Sequence, residues 1–138
     1  MPFGYHLMLD VYNCEPNLID DLDYCYDYLD QLTTEIGMDK QSPPFIFRSP
    51  NTYPGKEGLS GWVPVIESGI SIHTLTATKF ISVDVYSCKK FNVDKIKAFT
   101  KRYFKIKNDD DLETNYVFRG VKYDGIENTV VPTKPCID

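Results

Sequence analysis

The sequence predicts an α+β fold, an antiparallel or mixed sheet with helices over one face. Three observations carry this expectation. Phe80–Cys88 alternates strictly, with Ile81, Val83 and Val85 on one face and Ser82, Asp84, Tyr86 and Cys88 on the other. Leu18, Leu22, Cys25, Leu29, Leu32 and Ile36 step by four and three, which makes one apolar helical stripe. The elements run strand, helix, strands, helix, strand, an order that suits helices packed on one side of a sheet.

In chain order, YHLMLDVYN (residues 5–13) reads as the first strand. Tyr5, Leu7, Leu9 and Val11 share one face; His6, Met8, Asp10 and Tyr12 share the other. The helical stripe follows, with Asn17 as expected N-cap, early aspartates at the positive helix end and Gly37 as the stop. Residues 43–61 read as a Pro- and Gly-rich loop around a short strand at Phe45–Arg48. Two more strands are expected at Trp62–Ile66 and Ile70–Leu75, before the alternating Phe80–Cys88. A second helix fits residues 92–105, capped by Asn92, with Val93, Ile96, Phe99 and Tyr103 on one side. KNDDD is a solvated break, Thr114–Val121 a last strand, and a proline-containing tail ends the chain. Helices on one face leave the other face of the sheet to solvent, a pocket or a partner subunit.

At 138 residues the chain is most simply one domain, 1–138, long enough for a modest core. A net charge of −5 repels phosphate backbones and argues against a nucleic-acid partner; a solvated acidic surface accounts for it. No run approaches a membrane-spanning length, and MPFGYHLMLD has no basic region followed by an apolar core. A cytoplasmic location is therefore the default, with Cys14, Cys25, Cys88 and Cys136 reduced. Widely spaced cysteines and only His6 and His73 give no metal-ligand pattern, so no metal is expected.

Residues 65–74 read VIESGISIHT, which places Glu67, Ser68 and His73 among β-branched residues. A serine in strained backbone can attack the carbonyl before it, because hydroxyl and peptide are already held together. The amide becomes an ester; loss of the serine α-proton expels the carboxylate; hydrolysis of the resulting dehydroalanine leaves a pyruvoyl group. Gly69 tolerates the backbone geometry such a site needs, and His73 is a candidate base. Ser68 and His73 are five apart, so an unbroken strand sends them to opposite faces. Direct contact requires a bend or bulge near Gly69. On local chemistry alone an ordinary strand remains the simpler reading.

Further motifs stand in register with this one. Leu59-Ser60-Gly61 precedes it, and Asp84-Val85-Tyr86-Ser87-Cys88 follows it. Gly4-Tyr5-His6-Leu7 and Asp10-Val11-Tyr12-Asn13-Cys14 open the chain. Together these segments resemble the prokaryotic S-adenosylmethionine decarboxylase family, with its ESHxSIHTWPE, D-[LIV]-[FY]-[ST]-C, VSG and GxHLxxDxYxC motifs. The likeness runs from about residue 4 to 105. It implies a two-layer α/β sandwich with a largely antiparallel sheet, and a proenzyme that cleaves itself into 1–67 and 68–138. Ser68 would become the pyruvoyl cofactor, with His73 a proton acceptor in processing, Ser60 near the processing centre and Cys88 the catalytic proton donor. The pyruvoyl carbonyl would condense with a substrate amine and act as electron sink during loss of carbon dioxide. The resemblance also implies a homodimer with sites near the protomer interface, which accounts for the uncovered sheet face.

The chain departs from the family pattern at two places. Gly69 replaces the histidine after the serine, and Leu75, Thr76 and Ala77 stand where the family has Trp-Pro-Glu. That glutamate is associated with gripping ribose hydroxyls, and Ala77 cannot accept their hydrogen bonds. Phe45, Phe47, Tyr53 and Trp62 offer a replacement aromatic surface, with Phe47 and Trp62 the candidate substrate contacts. Asp10 and Asp84 are candidate partners for a cationic substrate. S-adenosylmethionine is the first-ranked substrate, in a polyamine-synthesis role. Arginine or ornithine on the same scaffold is the alternative, and an unprocessed regulatory partner of an active homologue is another.

Overall fold

The computed structural model describes residues 1–50 and 52–122; Cys136 and the proline-containing tail lie outside them. In chain order the elements are β1 (Gly4–Val11), α1 (Pro16–Ile19), α2 (Leu22–Glu35), β2 (Phe45–Arg48) and β3 (Leu59–Val65). Then come β4 (Ser68–Leu75), β5 (Phe80–Ser87), α3 (Val93–Tyr103) and β6 (Leu112–Arg119). The strands form one sheet in the order β2-β3-β4-β5-β1-β6, and every neighbouring pair is antiparallel. This is the α+β class expected, with "mixed" resolved to antiparallel throughout.

Alternation sets the two faces. Leu7, Leu9 and Val11 of β1, Val63 and Val65 of β3, Ile70 and Ile72 of β4, and Ile81, Val83 and Val85 of β5 are all buried. They share one core with Leu29, Leu32 and Ile36 of the α2 stripe and Ile96 and Phe99 of α3. The helices clasp each other as well. The Tyr24 and Tyr103 hydroxyls each donate to the other residue's carbonyl at 2.6 Å. The fully buried Tyr28 hydroxyl meets Thr100 Oγ1 at 2.7 Å, which satisfies a polar group that burial would otherwise penalise. Leu29 is fully buried at the centre of this packing. Leu29→Ala is expected to cost roughly 2–5 kcal/mol, seen as a lower urea midpoint with an unchanged slope.

Several boundaries differ from the sequence expectation; β4 begins at Ser68 rather than Ile70, and β5 ends at Ser87, one residue before Cys88. Asp21, not Asn17, caps the main helix, its carboxylate accepting the Tyr24 N–H at 3.1 Å. Asn17 lies inside the separate turn α1, whose first residue, Pro16, is preset for a helix start. Gly37 does stop α2: at φ 73° it lets the Met38 N–H reach the Thr33 carbonyl at 2.9 Å. Leu59–Gly61, expected in the loop, belong to β3. Gly58 lies so close to β4 that a Cβ there would sit 1.8 Å from the Thr74 carbonyl oxygen, and pairing begins immediately after it. The last strand starts at Leu112, two residues early, because Leu112 still reaches the core.

Candidate active site

The β3–β4 connection has only two residues, Ile66 and Glu67, between the paired Val65 and Ser68. Two-residue hairpins favour turns with positive φ in the loop, normally supplied by Gly, Asn or Asp. Neither Ile66 nor Glu67 has positive φ; the strained angle falls instead on Ser68, at φ 156°. A side chain in that region costs about 1–3 kcal/mol and persists only where its surroundings hold it.

The surroundings do so from both sides. The Ile66 N–H donates to the Asp39 carbonyl at 2.9 Å, and the Gln41 N–H to the Pro64 carbonyl at 2.9 Å. On the other side Ser68 pairs with Ser87 of β5, and one step further the Cys88 N–H donates to the Glu67 carbonyl at 2.9 Å. Thus the carbonyl that precedes Ser68 is already polarised by a backbone donor. A donor so placed stabilises negative charge on that oxygen if the carbonyl is attacked.

Glu67 itself is 2% exposed, and its Oε1 has no hydrogen-bond partner among the described residues. Cys88 is half-buried and lies just past the end of β5. Burial pushes its thiol pKa up, and the Glu67 charge pushes it the same way, so the neutral form is favoured. Cys14 and Cys25 are buried in the core, and burial holds both thiols up at about 12. They are inert at neutral pH.

Ser68 borders a cavity of about 440 Å³ on the helix-free face of the sheet. Its other lining residues are His6, Trp62, Gly69, Ser71, Asp84, Tyr86 and Arg119. His6 Nε2 meets Asp84 Oδ1 at 2.9 Å across the β1–β5 pair. The Arg119 guanidinium lies over the Tyr86 ring, 4.7 Å from its centroid. The cavity therefore presents a cation, a hydrogen-bonded histidine–aspartate pair and an aromatic wall beside the serine.

His73 lies elsewhere. It borders a second cavity with Phe45, Phe47, Ser60, Trp62 and Ser71, and its Nδ1 meets Ser60 Oγ at 3.0 Å. The ladder from Ser68 to His73 is unbroken on both sides, so the bend or bulge needed for direct contact is absent. Five residues of strand span about 17 Å, far beyond hydrogen-bond reach. Ser68 and Cys88 thus form one group and Ser60 and His73 another, with Trp62 and Ser71 bordering both cavities.

The remaining sequence candidates are distributed around these groups. Asp84 and Trp62 line the serine cavity; Phe47 and Trp62 line the histidine cavity. Asp10 pairs with Glu113 of β6, and burial, then Glu113 and Asp84, raise its carboxyl pKa. Ala77 is exposed in the β4–β5 turn. Gly69 is filled from across the ladder, since a Cβ there would lie 2.7 Å from Trp62 Nε1. Trp62 is 48% exposed and free to shift, so Gly69→Ala is expected to move the fluorescence of this single tryptophan with little loss of stability.

Sequence reasoning missed the Cys88–Glu67 backbone bond, the His6–Asp84 pair and Arg119 over Tyr86. Alternation does put His6 and Asp84 on one face. That β1 lies beside β5 is not encoded in either strand.

Comparison with known proteins bears on the family and the fold. The family model described as S-adenosylmethionine decarboxylase matches residues 5–120. The S-adenosylmethionine decarboxylase proenzyme of Clostridium botulinum strain Hall is 28% identical over 118 residues, covering 85% of this chain and 94% of that one. The proenzyme of Thermoanaerobacter sp. strain X514 is 31% identical over 85 residues, covering 62% of this chain and 64% of that one. The crystal structure of the adenosylmethionine decarboxylase from Aquifex aeolicus VF5 shares the fold, with a TM-score of 0.70 at 22% identity over 87% of this chain and 92% of that one. The chain therefore belongs to the S-adenosylmethionine decarboxylase family of pyruvoyl-dependent decarboxylases.

Proposed function

We propose that the chain cleaves itself between Glu67 and Ser68, and that the processed enzyme decarboxylates S-adenosylmethionine. The observation that carries this reading is the strained Ser68, φ 156°, next to a Glu67 carbonyl already held by the Cys88 N–H. In the first step Ser68 Oγ attacks the Glu67 carbonyl carbon; the C–N bond breaks, the amine takes a proton, and an ester remains. Removal of the Ser68 α-proton then expels the Glu67 carboxylate. Water displaces ammonia from the resulting dehydroalanine and leaves a pyruvoyl group at residue 68. That group supplies the electron sink for the pair released as carbon dioxide departs. Cys88, held neutral beside it, is the group that returns a proton to the substrate carbon.

The separation of His73 from Ser68 supports a homodimer in which the uncovered sheet faces meet. There the Ser60–His73 pair of one protomer completes the Ser68–Cys88 group of its partner. Phe45, Phe47 and Trp62, all exposed on that face, supply apolar area for such a contact. Carbon dioxide release from carboxyl-labelled S-adenosylmethionine, arginine and ornithine tests the substrate assignment. Release from S-adenosylmethionine is expected; release only from arginine or ornithine would replace it.

A further inference from the structure

The serine cavity holds one acid–base group that the chemistry above leaves idle. His6 lines it together with Ser68, and its Nε2 meets Asp84 Oδ1 at 2.9 Å. A carboxylate only accepts, so Nε2 carries the hydrogen of that bond, and Nδ1 is the unprotonated nitrogen of the neutral ring. Nδ1 has no partner among the described residues. Tyr86 holds the ring from a second side, with 5.9 Å between centroids and 65° between planes. A histidine gripped through one nitrogen by a carboxylate and open at the other is set up to exchange a proton with a third group.

Its position identifies that group. Gly69, Tyr86 and His6 stand opposite one another on the successive strands β4, β5 and β1. His6 is therefore two strand spacings, roughly 10 Å, from the residue that follows Ser68. A substrate amine that reaches residue 68 through the cavity enters between them. An amino acid carries that amine as an ammonium ion, whose nitrogen has no electron pair with which to attack a carbonyl. A base must take the proton first. Elsewhere on the cavity wall, Arg119 and Tyr86 bring a guanidinium and a phenol, while Ser71 and Trp62 bring a hydroxyl and an indole. None of these groups accepts a proton readily. His73 borders the other cavity. We propose that His6, oriented by Asp84, is the base that takes the proton from the substrate amine, with Nδ1 as the accepting atom. The ammonium becomes a neutral amine with a free electron pair, and His6 becomes an imidazolium beside the Asp84 carboxylate. Its side chain is 23% exposed, so the proton then passes to solvent. The inference rests on the decarboxylase reading, with the reactive carbonyl at residue 68.

The test compares two amines on the wild-type chain and on His6→Gln, whose side-chain amide can still donate to Asp84. Hydroxylamine is already unprotonated at neutral pH, whereas the amine of S-adenosylmethionine is not. Adducts at residue 68 are read by mass spectrometry, directly for hydroxylamine and after cyanoborohydride trapping for S-adenosylmethionine. In His6→Gln, hydroxylamine uptake is expected at the wild-type rate, and trapping of S-adenosylmethionine about a hundredfold slower, the usual effect of losing a general base. Equal trapping by the two chains overturns the proposal. So does loss of both reactions together, which would show that His6 supports the fold or the cleavage instead. A nitrogen-15 spectrum of the Ser68→Ala chain in alkaline buffer decides the matter even if His6→Gln does not fold. A ring protonated at Nε2 and bare at Nδ1 is expected, and the opposite tautomer overturns the proposal. Failure of the decarboxylase reading shows separately, as a wild-type chain that takes up no hydroxylamine, and it removes this proposal with it.

Discussion

Ser68→Ala is expected to abolish chain cleavage completely, leaving one species of full length where the self-processing proposed for the wild-type chain would give two. The expectation follows from the geometry of the β3–β4 turn. Alanine removes the hydroxyl of the residue that follows the Glu67 carbonyl while leaving the backbone ladder on both sides intact. The fold should survive, since Ser68 is not among the residues of the hydrophobic core. Circular dichroism unchanged from wild type, with loss of both fragments and of all carbonyl reactivity, is the expected pattern. Ser68→Thr keeps a hydroxyl but adds a methyl at a backbone angle hostile to β-branched residues, so slowed cleavage is expected there.

In the proposed homodimer, a Ser68→Ala partner should rescue a His73→Ala chain. A His73→Ala chain keeps its own Ser68 and Cys88 but, in a dimer of its own kind, meets no histidine. Coexpressed with Ser68→Ala chains, it meets a partner whose Ser60 and His73 are intact. The His73→Ala chain is therefore expected to stay whole alone and to be cleaved on coexpression. With random pairing of equal amounts, about half of those chains should be cleaved. The Ser68→Ala chain stays whole in both cases. Cleavage of His73→Ala alone at the wild-type rate would remove His73 from processing. Absence of rescue would remove the partner's contribution. The magnitude behind this expectation is the span of about 17 Å along an unbroken strand, which no side-chain rotation bridges.

The parity of five residues already pointed to this separation. Ser68 and His73 fall on opposite faces of a continuous strand, and the ladder is continuous. Much of the fold was equally plain. Phe80–Ser87 alternates because β5 is a central strand with one face on the core and one on a cavity-bearing surface. The α2 stripe was legible because every member packs inward. What escaped depended on context. Asn17 and Asp21 are both good caps, and only the break after α1 decides between them. Leu59–Gly61 follow a run of Pro and Gly that masks strand character, and only the close approach of Gly58 to Thr74 starts the pairing. The site was visible as motifs, but its two halves were not. Strand order places Cys88 against Glu67 and His73 against Ser60, and strand order is a property of the whole chain.

The replacement of the family histidine by Gly69 also becomes intelligible. Trp62 reaches across from β3 into the space a side chain at 69 would occupy, so the wall between the two cavities is built from the opposite strand. The chain keeps an aromatic boundary while changing the residue that provides it.

The central claim, that the backbone makes its own ketone at residue 68, is tested most directly by the denatured mass of freshly folded wild-type protein followed over time. The account predicts two fragments, 1–67 and 68–138, the second beginning with a carbonyl that takes up hydroxylamine. A chain that remains whole through prolonged incubation, with serine still at position 68 and no hydroxylamine adduct, would contradict it.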